Sequence, residues 1–204
     1  MKIPSVTKLY GEARETFQRF PFVILSSIIG AFIMIYIIQV DATGSDYYYL
    51  QNAVVCCGLG ISFLLSLTLR NEVFKLSRTQ NTIIQGVGVA SLVLYYFWLP
   101  KELGEIEITR SLLFALGLHL LVSFASFMNN EGDRQENINA FWRFNKLFFI
   151  RILTSVLFSG VLYIGLCIAI VSFDKLFDVS IEGKIYPQLF YFILGVFNTW
   201  FFLA

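Results

Sequence analysis

The chain has 204 residues, of which 57% are hydrophobic and 14% charged, and its formal net charge is +1. Soluble domains carry about a quarter charged residues, so this composition excludes an ordinary soluble fold. The near-neutral balance also leaves no field to gather nucleic acid or an acidic substrate, and nucleic acid is not expected as a partner.

The chain opens with a segment that is amphipathic rather than apolar throughout. Val6, Leu9, Tyr10, Ala13, Phe17 and Phe20 recur at helical spacing, and Lys8–Glu12 and Glu15–Arg19 form i,i+4 pairs on the remaining surface. Pro21 then breaks the helix where the first apolar run begins. Residues 1–20 are therefore expected to lie as an amphipathic helix on the inner leaflet, or to serve as a partner-binding helix. No A-x-A-like cleavage site follows the first apolar run, so the segment reads as retained and not as a cleavable signal.

Six apolar runs follow, at Phe22–Val40, Leu50–Leu69, Thr82–Leu99, Thr109–Met128, Leu147–Phe173 and Tyr186–Ala204. Each approximates the ~20 residues that cross a ~30 Å hydrocarbon core as a helix. The expected fold is all-α, with residues 21–204 forming a polytopic bundle of six transmembrane helices. Placing both termini in the cytoplasm puts eleven cations on or near the inner side, from Lys2 to Arg151, and four outside, namely Lys101, Arg110, Lys175 and Lys184. That asymmetry follows the positive-inside rule. Tyr47–Tyr49, Tyr95, Tyr96 and Trp98 fall at the outer interface, and Trp142 and Trp200 at the inner one. Pro21, Pro100 and Pro187 sit at span edges, so discontinuous helices are not expected.

Small residues at four-residue spacing mark the faces where helices can approach closely. They include Ser26/Gly30, Cys56/Gly60, Gly58/Ser62/Ser66, Gly86/Ala90, Ser155/Ser159 and Gly165/Ala169. Cys56, Cys57 and Cys167 have neither CxxC nor metal-ligand spacing and read as small apolar groups. The links are short. Arg70–Arg78 reads as a headgroup-level turn with snorkelling cations, and Asn129–Asp133 as a helix stop and turn. The acidic groups Glu102, Glu105, Glu107, Asp174, Asp178 and Glu182 belong to solvated outer loops.

Three polar residues form a candidate intramembrane site. His119, the chain's one histidine, lies mid-span on a small polar stripe with Ser111, Ala115, Ser123 and Ser126. An ionisable group at that depth is costly and therefore a functional candidate. Two readings stand: a proton-responsive group in a hydrated cavity, or a neutral imidazole bonded to a neighbouring helix. Asn198, beside Thr199, is the other intramembrane candidate. At the inner interface, Phe141, Trp142, Arg143, Asn145 and Lys146 form a second candidate motif, with Ile138, Phe141, Trp142 and Asn145 expected on one face. The pattern Phe-x-Arg-Phe at Phe141–Phe144 also occurs at Phe17–Phe20, and both copies read as interfacial anchors. Arg151 is expected to reach back to the same interface.

The stretches Phe141–Lys146, Ser159–Gly165 and Gly195–Ala204 resemble the bacterial membrane proteins grouped as domain of unknown function 4153. The resemblance covers roughly residues 141–204, and the first four spans agree in general pattern. It implies a helical fold in the bacterial inner membrane and a chain that continues past residue 204, and it brings no catalytic residues. No phosphate loop, HExxH, GxSxG or intramembrane carboxylate pair occurs, so no enzyme, cofactor or metal is expected. The expected function is a structural, sensory or partner-scaffolding module, with the bilayer, other membrane subunits or the chain's own C-terminal continuation as partners. The alternative is a transport unit for a small solute or proton, with His119 and Asn198 lining the path.

Overall fold

The computed structural model describes residues 6–128 and 134–204, without side-chain detail for 6–10, Ser45 and Arg134. The helix stop expected at 129–133 lies outside the described residues. Among the described residues the chain is helical throughout, with no strand. The elements are α1 (Val6–Arg19), α2 (Pro21–Val40), α3 (Gly44–Val73), α4 (Arg78–Trp98), α5 (Glu105–Ala125) and α6 (Arg134–Phe177), followed by α7 (Ile185–Phe192), a π-helical turn (Ile193–Asn198) and α8 (Thr199–Leu203).

Local chemistry sets the boundaries. Pro21 occupies the first turn of α2, where its missing N–H costs nothing, so α1 and α2 meet at a break centred on Phe20. Ser77 and Gln80 exchange bonds in a capping box that starts α4. Asp41 ends α2 in the left-handed region, with its N–H bonded to the Ile37 carbonyl.

Five helices are long and apolar enough to cross a membrane among the described residues: Pro21–Val40, Asp46–Val73, Glu105–Ala125, Gln135–Phe177 and Ile185–Leu203. The expected six are therefore matched in five. α4 falls short because Thr79, Gln80, Asn81, Thr82 and Gln85 make its first half polar. It is nonetheless a 21-residue helix antiparallel to α3. One end is tied by Asn71 Nδ2 to Asn81 Oδ1 at 2.7 Å, the other by Asn52 Nδ2 to the Pro100 carbonyl at 2.8 Å.

α2 and α3 form the centre. α4 and α5 pack on α3, the α7–α8 segment packs on α2, and α6 leans on that segment. The buried apolar cluster joins Phe20, Val23 and Ile24 to Leu64 and Leu65, Val122 and Leu203, at the end of the bundle that carries α1. Leu112, Leu116, Val161, Ile164 and Ile168 point away from the bundle, as lipid-facing side chains would.

α1 docks on this bundle instead of standing apart. Phe17 stacks on Trp200 with ring centroids 6.3 Å apart. Arg19 makes a bidentate pair with Glu72, at 2.7 and 2.8 Å, in place of the expected local pair with Glu15. The tertiary partner prevails because it matches both oxygens of a carboxylate to the guanidinium fork.

The small residues of α2 act on two faces. Gly30 sits against Cys57, and a Cβ at Gly60 would fall 2.6 Å from Ser26 Oγ. On the opposite face a Cβ at Gly195 would fall 2.5 Å from the Ala31 Cβ. Of the other expected contact faces, Gly58, Gly86 and Gly165 have open space around them, and Gly88 is the close-packed glycine of α4, against Leu64 and Leu67. Gly195→Ala should cost about 1–3 kcal/mol by overpacking, and Ala31→Gly in the same chain should recover part of that loss. Thermal unfolding of the purified protein in detergent checks both; equal stability of the parent and G195A would rule the contact out.

Candidate functional site

A polar side chain surrounded by hydrocarbon needs a partner, because leaving it unpaired costs kilocalories. The bundle meets this need in discrete pairs between helices. Ser26 Oγ donates to the Cys57 carbonyl at 2.9 Å, joining α2 to α3. Ser27, nearly fully buried, bonds both the Gly195 carbonyl and Thr199 Oγ1, the latter at 2.8 Å.

Gly195 and the Ser27 contact both fall at the π-helical turn. In such a turn the backbone bonds run i→i+5, which shifts the helix by a residue and loosens its carbonyl ladder. The Ser27 hydroxyl covers the Gly195 carbonyl at this point, and the missing side chain of Gly195 lets α2 come that close. The helix stays continuous over Ile185–Leu203, as expected, but carries a π-helical turn that no proline marks.

The three predicted intramembrane residues do not form one site. His119 Nδ1 lies 3.1 Å from Ser62 Oγ, tying α5 to α3, with its ring tilted against Phe148. Ser123 turns back to the His119 carbonyl of its own helix at 3.4 Å. Asn198 Oδ1 accepts from Ser159 Oγ at 3.1 Å, joining the π-helical turn to α6. Ser62 and His119 bring a hydroxyl and a base within bonding reach, the first requirement of nucleophilic catalysis. Among the described residues nothing bonds Nε2 to orient the ring, as the third member of a triad does. The pair serves as a tie between helices.

Gln85 escaped the sequence reading. It is among the most buried side chains, and its Nε2 donates to Thr68 Oγ1 at 2.7 Å and to the Leu64 carbonyl at 3.1 Å. Thr68 Oγ1 in turn donates to the Leu64 carbonyl at 3.0 Å. The Gln85 Oε1 is buried without a partner among the described residues. Asn81 and Gln85 at i,i+4 are the signal that could have revealed this face.

The interfacial motif divides between two faces of α6. Phe141 packs on Phe124 and Phe127 at 5.3 and 5.4 Å, and Phe144 follows it onto Phe127 and Phe148. Asn145 bonds the Phe141 carbonyl at 3.0 Å. Trp142 points outward, 67% exposed, as do Ile138, Arg143 and Lys146, so the predicted shared face holds only for Phe141 and Asn145. The spacing 141/144/148 carries the packed face instead.

A cavity of about 760 Å³ opens at this end, between α1, α3, α6 and α8. Its lining includes Arg19, Phe20, Phe144 and Arg151. The hydrogen bonds that Arg19 donates to the Glu72 carboxylate raise its pKa further above its ordinary value and keep the guanidinium charged. Among the described residues Arg151 bonds the Phe202 carbonyl alone, through Nη1 at 3.4 Å. Cys56, Cys57 and Cys167 are free thiols.

No family model, curated protein or solved structure matches the chain.

The Gln85–Thr68 pair has an asymmetric energetic consequence. Thr68→Val strands a buried amide donor and should cost about 1–3 kcal/mol. Gln85→Met removes that donor together with the orphaned oxygen and should cost less. In a double-mutant cycle read by thermal unfolding, the combined variant should lose less than the sum of the single losses; strict additivity would dissolve the pair.

Proposed function

We propose that the chain is a packed membrane module, structural or sensory in role, that crosses a bacterial inner membrane six times with both ends in the cytoplasm. The observation that carries the reading is the pairing of polar side chains at depth. Ser27–Thr199, Ser62–His119, Thr68–Gln85 and Ser159–Asn198 each form a hydrogen bond between helices. Such pairs contribute modestly, about 0.6–2 kcal/mol, and they specify how helices meet.

Three further points support the finer parts of the reading. α4 is as long as α5, and Asn81 and Gln85 of its polar half bond α3, which fits a sixth crossing. The eleven-to-four split of cations favours a cytoplasmic location for the end bearing α1. The resemblance over residues 141–204 to domain of unknown function 4153 supports the inner-membrane assignment. The module's partners are the bilayer and further membrane segments or subunits.

A transport unit is the second reading, and one observation favours it. The π-helical turn borders a mainly apolar cavity of about 180 Å³ whose lining includes Ser26, Ser27 and Gly195, and π-helical turns within helices are frequent at functional sites. An enzyme built on Ser62 and His119 ranks third.

Aqueous accessibility separates the first two readings. With Cys56, Cys57 and Cys167 replaced by Ala, His119→Cys and Asn198→Cys should resist a membrane-impermeant thiol reagent in intact cells and in inverted vesicles. Rapid labelling of either position would place water at mid-membrane and hand the argument to transport. In the same background Lys101→Cys should label only from outside the cell and Arg78→Cys only in inverted vesicles; the opposite pattern would reverse the orientation.

A further inference from the structure

The two Phe-x-Arg-Phe stretches, far apart in sequence, converge in space. Arg19 and Phe20 from the first copy and Phe144 from the second line the same cavity of about 760 Å³. Leu65, Leu69 and Phe148 extend its apolar wall toward the middle of the bundle. Leu147 and Ile150, which also line it, are 58% and 45% exposed, so it opens sideways and not only toward one end.

Arg19, Arg151 and Glu12 line this opening, and Glu72 adds a second carboxylate beside Arg19, so the charges here differ in pairing and not in number. Arg19 is already held by Glu72. Arg151 has no carboxylate within ion-pair distance among the described residues. Arg143, Leu147 and Arg151 follow at four-residue intervals along α6, so a second exposed cation stands on the same stripe, two turns below. A guanidinium at the mouth of an apolar, laterally open cavity calls for an anion that carries its own hydrocarbon.

We propose that this cavity binds an anionic phospholipid, with the lipid phosphate on the Arg151 guanidinium beside Arg19 and the acyl chains along the Leu65–Leu69–Phe148 wall. The planar fork of Arg matches two phosphate oxygens, as a point-charge ammonium does not. Basic residues at headgroup level favour anionic lipid. A zwitterionic lipid brings a cation that would face Arg143 and Arg151, so the site discriminates against it. A free phosphate or a hydrophilic acidic peptide would leave the apolar wall uncovered.

The inference rests on the membrane reading above but not on orientation or on the scaffold role, so its failure leaves the accessibility result untouched. The test uses the purified full chain in detergent, equilibrated with equal amounts of phosphatidylglycerol and phosphatidylcholine of the same acyl chains. Retained lipid is counted by native mass spectrometry. The parent chain should retain phosphatidylglycerol about tenfold over phosphatidylcholine, a difference of about 1.4 kcal/mol. Arg151→Gln should bring that ratio close to one, Lys101→Gln at the opposite end should leave it unchanged, and millimolar inorganic phosphate should not displace the lipid. Equal retention of both lipids by the parent chain, which needs no variant to fold, overturns the proposal. So does an unchanged preference in R151Q, or displacement by inorganic phosphate, which would mark a simple anion site. Should R151Q not fold, Thr154→Trp fills the cavity without altering charge; full retention of phosphatidylglycerol by that variant also overturns the proposal.

Discussion

Everything in this bundle depends on how closely α2 approaches its two neighbours. In lipid, apolar surface gains nothing by leaving hydrocarbon for protein, so helices associate through contact and hydrogen bonding. Ser26 and Gly30 let α3 in on one side, and Ser27 and Ala31 meet Gly195 and Thr199 on the other. α4 and α5 are carried by α3, and α6 by the helix that rests on α2. A bulky residue at one of these few positions would displace whole helices, whereas Leu112 or Ile164 on the outer surface could change with little consequence.

Close contact explains attraction but not register, since small residues slide easily past one another. The polar pairs supply the register. Along α3 and α4 three ties occur at different heights: Asn52 to Pro100, Thr68 to Gln85, and Asn71 to Asn81. A one-residue slip moves a helix by 1.5 Å and turns its side chains by 100°, which would break all three together. The oxygens of Asn52 and Gln85, without partners among the described residues, show the cost of this arrangement, because each amide bonds through its nitrogen and strands its oxygen.

The sequence exposed the class of fold plainly, because length and apolarity are properties of each run alone. It also marked the face of α2 at Ser26 and Gly30, where residue size decides the contact. Features that depend on a partner were harder to read. Gly88 rather than Gly86 meets α3 because two residues along a helix turn the face by about 200°, and the partner's position decides which face is used. Arg19 chose Glu72 over Glu15 for a geometric match no local spacing reveals. Gln85 went unnoticed since it falls within a run that is apolar as a whole, and His119 and Asn198 looked like one site only because both lie within apolar spans. The π-helical turn, where Ser27 of another helix bonds the Gly195 carbonyl and no proline sits, left no local mark at all.

α6 runs for 44 residues without interruption, about 66 Å and roughly twice the hydrocarbon thickness. A rod of that kind has no joint, so its two ends cannot move independently. Tilting it by about 10° around its midpoint would carry each end about 6 Å in opposite directions. It leans on the α7–α8 segment, whose backbone changes pitch at the π-helical turn. Pressure on the protruding Arg134–Lys146 stretch would thus be felt at Asp174 and Phe177 on the far side of the molecule. The bundle has in α6 the mechanical equivalent of a lever, with its fulcrum at the Ser159–Asn198 contact.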